Sequence, residues 1–257
     1  MITSNQNPKI KLARSLMGRA KERREAGMFV VEGVRLVEEA VKGGWRLETI
    51  LFDESLSERG KSQVSSLKSK GVEVEEISTD LMKSLSETET PQGILAILQF
   101  YELPIPNNSN FVLIPDQIRD PGNLGTLLRS AAATGVQAVL LPPETTDAFA
   151  PKVLRAGMGA HFRVPIRVME WEEIEQMSKS ANLQMLLADM NGSSCWETDL
   201  RQPLALIVGG EAEGASQQAR KLTTQKISIP MVGNIESLNA GVAGSVLMFE
   251  VVRQRKT

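Results

Sequence analysis

Hydrophobic positions along the chain alternate between two signatures: short apolar runs of strand length, and longer stretches in which apolar residues recur every three or four positions. At the N-terminal end this alternation predicts a basic helix near Ile10 to Glu25, a strand at Phe29 to Val31, a helix at Val34 to Lys42 and a strand at Glu48 to Phe52. It continues with a helix at Glu58 to Lys70, a strand at Val72 to Ile77, a short helix after Asp80 and a strand at Gly93 to Phe100. The segment Glu102 to Asn110 (ELPIPNNSN) then breaks the pattern, because its prolines, Asn and Ser carry no periodicity. Beyond it, apolar strands are expected at Phe111 to Ile114, Ala138 to Leu141, Arg163 to Val168, Gln184 to Ala188, Leu204 to Val208 and Lys226 to Met231. Helices separate most of them, which points to a largely parallel, buried sheet. The expected organisation is an α/β domain at 1–101, a linker at 102–110 and a second α/β domain at 111–257.

Composition narrows the class. The 257 residues suffice for two modest domains with real cores. No apolar run approaches the roughly 20 residues of a membrane span, and the N-terminus lacks the apolar stretch of a signal peptide, so a cytoplasmic protein is expected. A single cysteine, Cys195, excludes an internal disulfide, and a single histidine, His161, leaves too few soft ligands for a structural zinc; metal-free chemistry is expected. The net charge of −2 argues against a uniformly basic nucleic-acid binder but conceals basic ends. Lys9, Lys11, Arg14, Arg19, Lys21, Arg23 and Arg24 meet only Glu22 and Glu25 in their stretch, and Arg253, Arg255 and Lys256 lie at the other end. Such clusters can track a phosphate backbone. They equally suit a solvated helix face or the C-terminal end of a helix dipole.

Three segments carry candidate chemistry. In Ile118 to Ala131 (IRDPGNLGTLLRSA), Asp120 suits a helix N-cap, Pro121 the first turn and Gly135 the stop. Leu124, Leu127, Leu128 and Ala131 form the buried stripe, and Arg129 lies on another face above Gly125 and Gly122. Glycine inside a helix costs roughly 0.8 to 1 kcal/mol relative to alanine, so Gly125 suggests close approach of a ligand or of another element. The second segment is IVGGEAEGAS after an apolar strand: Gly209, Gly210 and Gly214 permit tight turns that bring backbone N–H groups near a ligand, and Glu211 adds an acceptor. Neither the dinucleotide fingerprint G-x-G-x-x-G nor a G-x-x-x-x-G-K-[ST] loop is present. The third runs from Ile227 to Phe249, where Ser237 can cap a helix and Asn239 lies in its first turn. From Ala240 to Val252 that helix is apolar nearly all round, with Gly241, Ala243 and Gly244 permitting close packing; it suits a core helix or a subunit interface.

The trio Asn123-Leu-Gly-Thr-Leu-Leu-Arg129, Gly209-Gly-Glu211-Ala-Glu-Gly214 and Ile229-Pro-Met with Ser237-Leu-Asn239 resembles, in order and spacing, the three signature motifs of the SpoU (TrmH) family of RNA ribose methyltransferases, within the SPOUT superfamily. The N-terminal stretches KIKLARSL and FVVEGVRLVEEAV resemble the ribosomal-protein-like substrate-binding domain of rRNA-modifying members. The resemblance implies a trefoil-knotted, largely parallel methyltransferase domain, a homodimer and a pocket for S-adenosyl-L-methionine made by three loops. Carried over by position, Gly209, Ile229 and Leu238 contact the cofactor, with Gly210 and Gly214 in the same glycine loop. Asn123, Arg129, Glu211, Ser237 and Asn239 fall at the polar positions around the reacting centre. Lys9, Lys11, Arg14, Arg19 and Arg23 become the candidate RNA contacts. One departure is visible: Ala240-Gly-Val-Ala-Gly stands where many members have Val-Ser-Val-Ala, so the resemblance does not extend to a second serine contact, although every motif residue is kept.

The activity implied is methylation of a ribose 2′-hydroxyl in structured RNA. The N-terminal domain favours rRNA, and the large subunit within it, over tRNA. Two other readings share the alternating elements: a dinucleotide-dependent oxidoreductase, against which the missing fingerprint counts, and a catalytically silent rRNA-binding member of the fold.

Overall fold

The computed structural model describes residues 1–211, 213–233 and 237–256. Two compact units share the chain: Met1–Tyr101 with Phe149–Phe162, and Glu102–Ala148 with the chain from Arg163 onward. The stretch Phe149–Phe162, which sequence reading assigns to the second domain, thus folds with the first unit.

In the first unit the basic segment forms two helices rather than one, α1 (Pro8–Gly18) and α2 (Ala20–Ala26), because Arg19 takes extended backbone angles (φ −93°, ψ 144°). There follow β1 (Met28–Glu32), α3 (Val34–Lys42), β2 (Leu47–Phe52), α4 (Glu58–Ser69), β3 (Glu73–Glu76), α5 (Thr79–Leu85) and β4 (Ile94–Gln99). The sheet runs β1-β4-β2-β3, with β4 antiparallel to both neighbours and β2 parallel to β3. One face buries Val30, Leu51, Leu95 and Ile97 against Ile10, Leu16 and Met82 of the helices. On another side Phe29 meets Trp45 and, from the later segment, Phe149 (ring centroids 4.9 Å apart), while Trp45 meets Phe162 at 5.4 Å.

The second unit contains β5 (Phe111–Asp116), α6 (Pro121–Thr134) and β6 (Ala138–Leu141); α7 (Pro151–Gly157) and a 3-10 turn (Ala160–Phe162) then belong to the first unit. The chain returns through β7 (Ile166–Val168), α8 (Trp171–Ser180), β8 (Gln184–Ser194), β9 (Leu204–Gly209), α9 (Gln217–Leu222), β10 (Gln225–Ser228) and α10 (Ala240–Lys256). The six strands lie in the order β10-β8-β9-β5-β6-β7, every pair parallel, which is the sheet expected from the continuous apolar runs. Val112, Ile114, Leu187 and Ile207 bury one face under Trp171 and Ile174 of α8 and Ala219 of α9. On the other, α10 packs against α6 and β9: a Cβ at Gly244 would lie 2.3 Å from Leu127 and 3.1 Å from Val208, so only glycine lets the helices approach this closely. No helix among the described residues is long and apolar enough to cross a membrane.

Each of the two basic clusters gives some of its members to this architecture. Arg23, a candidate RNA contact, is buried, and its Nη1 donates to the carbonyls of Leu16 (2.6 Å) and Gly18 (3.1 Å). It satisfies the orphan acceptors at the end of α1, a structural duty that corrects the sequence expectation. Lys9 is ion-paired with Glu73 (2.8 Å) and Glu75, which raise its pKa, chiefly through the hydrogen bond to Glu73. Arg14 is exposed and donates to Asn5 Oδ1 (2.8 Å) and Ser84 Oγ (3.2 Å), while Lys11 and Arg19 are exposed. At the far end Arg253 pairs with Glu250, and Arg255 donates to the carbonyls of Asn110 and Gln202 and lies over the Phe111 ring. Arg255 thereby holds the end of α10 to the segments that lead into β5 and β9, whereas the Arg253 pair lies within α10 and leaves that side chain exposed.

Candidate active site

The position of the site follows from strand order. From β5 the chain crosses through α6 to β6 on one side, whereas from β9 it crosses through α9 to β10 on the other. The C-terminal ends of β5 and β9 therefore flank the switch point where parallel sheets leave a crevice for ligands. Asp116 and Gly209 are paired in register at that edge. A cavity of about 540 Å³ opens beside it, within the roughly 300–1,000 Å³ usual for small-molecule sites. Gly209, Gly210, Glu211 and Gly214 line it from the β9 loop, Ile229 and Met231 from the exit of β10, and Ser237, Leu238 and Asn239 from the approach to α10.

The glycines of the β9 loop are required by backbone packing. A Cβ at Gly209 would stand 2.5 Å from the amide nitrogen of Ala215, and one at Gly210 would stand 2.4 Å from the carbonyl oxygen of Gln117. Gly210 and Gly214 exchange reciprocal backbone hydrogen bonds of 3.1 Å, and Gly214 takes a positive φ of 70°. Their N–H groups therefore close the turn on itself and are not free for a ligand, which corrects the reading of these two as amide donors. Asp116 anchors the far end of the loop. Fully buried, it accepts from the Ser216 amide at 2.6 Å, and burial, the first cause, pushes its pKa up.

At the loop's mouth three motif residues are joined by side chains. Asn123, on the first turn of α6, donates to Glu211 Oε1, and Asn239 Nδ2 donates to Asn123 Oδ1 at 2.8 Å. Asn239 also caps α10, accepting from the Val242 amide at 3.1 Å, a role sequence reading gave to Ser237. Gly241 makes room for this linkage: a Cβ there would already lie 3.2 Å from Thr126 and 3.3 Å from Asn123 Oδ1. The departure from the family pattern thus coincides with crowding by Thr126.

Arg129 is not drawn into this linkage. Six residues beyond Asn123 on a helix of 3.6 residues per turn, it is rotated well away from it, is exposed, and does not line the cavity. Sequence reading also misses the excursion of β8. Its pairing with β10 jumps from Lys226↔Leu187 to Ile227↔Ser193, so residues 188–192 leave the ladder, and Ala188 to Asn191 join the cavity wall. Being polar and aperiodic, ADMNG gives no hydropathy signal; the one legible hint is an acid, Asp189, just past a strand.

A parallel sheet with a ligand cavity at its switch point and a polar cluster at the cavity mouth defines a cofactor-dependent α/β enzyme. Residues 110–249 match the SpoU rRNA Methylase family, and residues 7–96 match the MRM3-like substrate binding domain. The chain belongs to the SpoU rRNA methylase family. The 23S rRNA (guanosine(2553)-2′-O)-methyltransferase RlmP of Bacillus subtilis (strain 168) is 33% identical to it, over 97% of this chain and 98% of its own length. The 23S rRNA (uridine(2479)-2′-O)-methyltransferase of Streptomyces viridochromogenes is 30% identical, over 98% of this chain and 92% of its own. The crystal structure of the SpoU methyltransferase AviRb from Streptomyces viridochromogenes, in complex with the cofactor AdoMet, is similar with a TM-score of 0.88 at 29% identity, covering 98% of this chain and 99% of that one.

Proposed function

We infer that this chain transfers the methyl group of S-adenosyl-L-methionine to a ribose 2′-hydroxyl of ribosomal RNA. It is an RNA ribose 2′-O-methyltransferase of the SpoU family, and both 23S rRNA relatives support the acceptor, as the AdoMet-bound AviRb supports the donor. The observation that carries the reading is the joining of Asn123, Glu211 and Asn239, one from each motif, at the mouth of a cavity of cofactor size. When bound, S-adenosyl-L-methionine supplies an electrophilic methyl group on a sulfonium. Gly209, Ile229 and Leu238 hold it in the cavity, and Glu211, kept in place by Asn123, faces the reacting centre with Ser237 and Asn239. Arg129 binds the phosphate beside the target ribose and so positions the hydroxyl. Residues 1–101 bind the RNA, with Lys11, Arg14 and Arg19 as the contacts left accessible. The proposal places the enzyme in the cytoplasm and gives its methyltransferase domain the family's trefoil knot.

The acceptor is tested by supplying the protein with labelled S-adenosyl-L-methionine and deproteinised 23S rRNA or tRNA. Label is expected in rRNA at one alkali-resistant ribose linkage. Label in tRNA alone supports the runner-up substrate, and label on a base overturns ribose methylation.

The same proposal includes a homodimer. Val242, Val246 and Phe249 are 47, 38 and 53% exposed and recur along one face of α10, an apolar stripe that a second copy covers. Light scattering is expected to give twice the chain mass at micromolar concentration. Phe249→Lys is expected to shift the protein toward monomer, and an active wild-type monomer contradicts the dimer.

A further inference from the structure

We propose that Asp189 accepts a hydrogen bond from the ribose diol of S-adenosyl-L-methionine and is the residue that reads the cofactor's sugar. The proposal rests on the assignment of this cavity to that cofactor. Asp189 lies two residues past Leu187 on β8, as Gly209 lies two past Ile207 on β9, and Leu187 and Ile207 are paired in register. Asp189 and Gly209 thus lie just beyond the last β8–β9 pair, and both line the cavity. An acid at the C-terminal edge of the strand beside a glycine-rich exit is where α/β sheets recognise an adenosine ribose.

The surroundings leave the carboxylate suited to hydroxyl donors. Lys226 Nζ lies 2.9 Å and Arg220 Nη1 3.5 Å from Oδ2, while Oδ1 accepts from the Asn191 amide at 3.0 Å. These contacts, with the Lys226 hydrogen bond foremost, lower its pKa and keep it ionised. Its charge is already answered by two cations, so the lone pairs that remain call for neutral donors, which a vicinal diol provides and an ammonium does not improve upon. Strand order also separates the tasks. Asn123 follows β5 and joins Glu211 in the loop after β9, whereas Asp189 follows Leu187 of β8, on the other side of β9 from β5.

The test is calorimetric and needs no turnover. S-adenosylhomocysteine and its 2′-deoxy and 3′-deoxy forms are titrated into the wild-type protein and into Asp189→Ala. Wild type is expected to bind at least one deoxy form on the order of ten- to a hundredfold more weakly, the range for a hydrogen bond to a charged acceptor. Asp189→Ala is expected to bind the ribo form with that same loss and to discriminate the deoxy forms by no more than about twofold. Wild type that binds all three ligands equally overturns the proposal without reference to any variant. So does an alanine variant that discriminates as wild type does, since a purely structural role weakens every ligand alike. Failure of the wild type to bind S-adenosylhomocysteine at all strikes instead at the assignment of the cavity.

Discussion

Arg129→Ala is expected to reduce methyl transfer by about a hundredfold to a thousandfold while leaving cofactor affinity and stability close to wild type. The side chain is exposed, lies off the buried stripe of Leu124, Leu127, Leu128 and Ala131, and does not line the cavity, so neither the core nor the cofactor depends on it. In the role proposed for it, Arg129 supplies a positive charge to the RNA phosphate in the transition state, and loss of such a donor costs about 3 to 4 kcal/mol. Single-turnover kinetics with saturating RNA separate this from weakened RNA binding. Arg129→Lys refines the role: partial rescue identifies a simple charge effect, whereas little rescue identifies two-pronged recognition of a phosphate. Near-wild-type transfer by the alanine variant removes Arg129 from the mechanism.

Gly209→Ala is expected to weaken S-adenosylhomocysteine binding by roughly ten- to a hundredfold. The added Cβ would fall 2.5 Å from the Ala215 amide nitrogen and 2.6 Å from the Gly214 carbonyl carbon, both backbone atoms that cannot rotate aside. The loop from Gly210 to Gly214 must then move, and overpacking of this kind costs about 1 to 3 kcal/mol. Gly18→Ala is the matched control, since a Cβ there meets nothing within 4 Å, and it is expected to leave binding unchanged. Binding by Gly209→Ala equal to that of the control shows that the loop can shift without disturbing the cavity.

Much of the second unit was legible because β5 and β9 are buried on both faces and leave unbroken apolar runs, FVLI and LALIV. Asn123, Glu211 and Asn239 were legible as motif members, and the structure joins them by hydrogen bonds that no spacing rule contains. Charge clusters were a poorer guide. Arg23 and Arg255 look like their exposed neighbours in a list of charges, but which arginine finds a carbonyl depends on where helices end. The break at Arg19 was hidden because basic and apolar residues keep helical spacing across it. The β8 excursion was hidden because residues outside a ladder obey no period.

The route of the chain between the units bears on how the protein is made. Synthesis finishes Tyr101 well before Phe149 and Phe162, yet these later aromatics complete the cluster around Phe29 and Trp45. Arg155 of the same segment brings the counter-charge to Glu32, 3.5 Å away, and to Glu87, 3.0 Å away. A nascent chain released only as far as residue 101 therefore displays an apolar surface and two acids, Glu32 and Glu87, whose counter-charge is still inside the ribosome. The first unit therefore cannot mature once Tyr101 is made, as a domain of contiguous residues ordinarily does during translation, and waits for Phe162. By the time its missing side emerges, β5, α6 and β6 have emerged as well, so the first unit closes while the second is only begun, with β7 to β10 and α10 still to come.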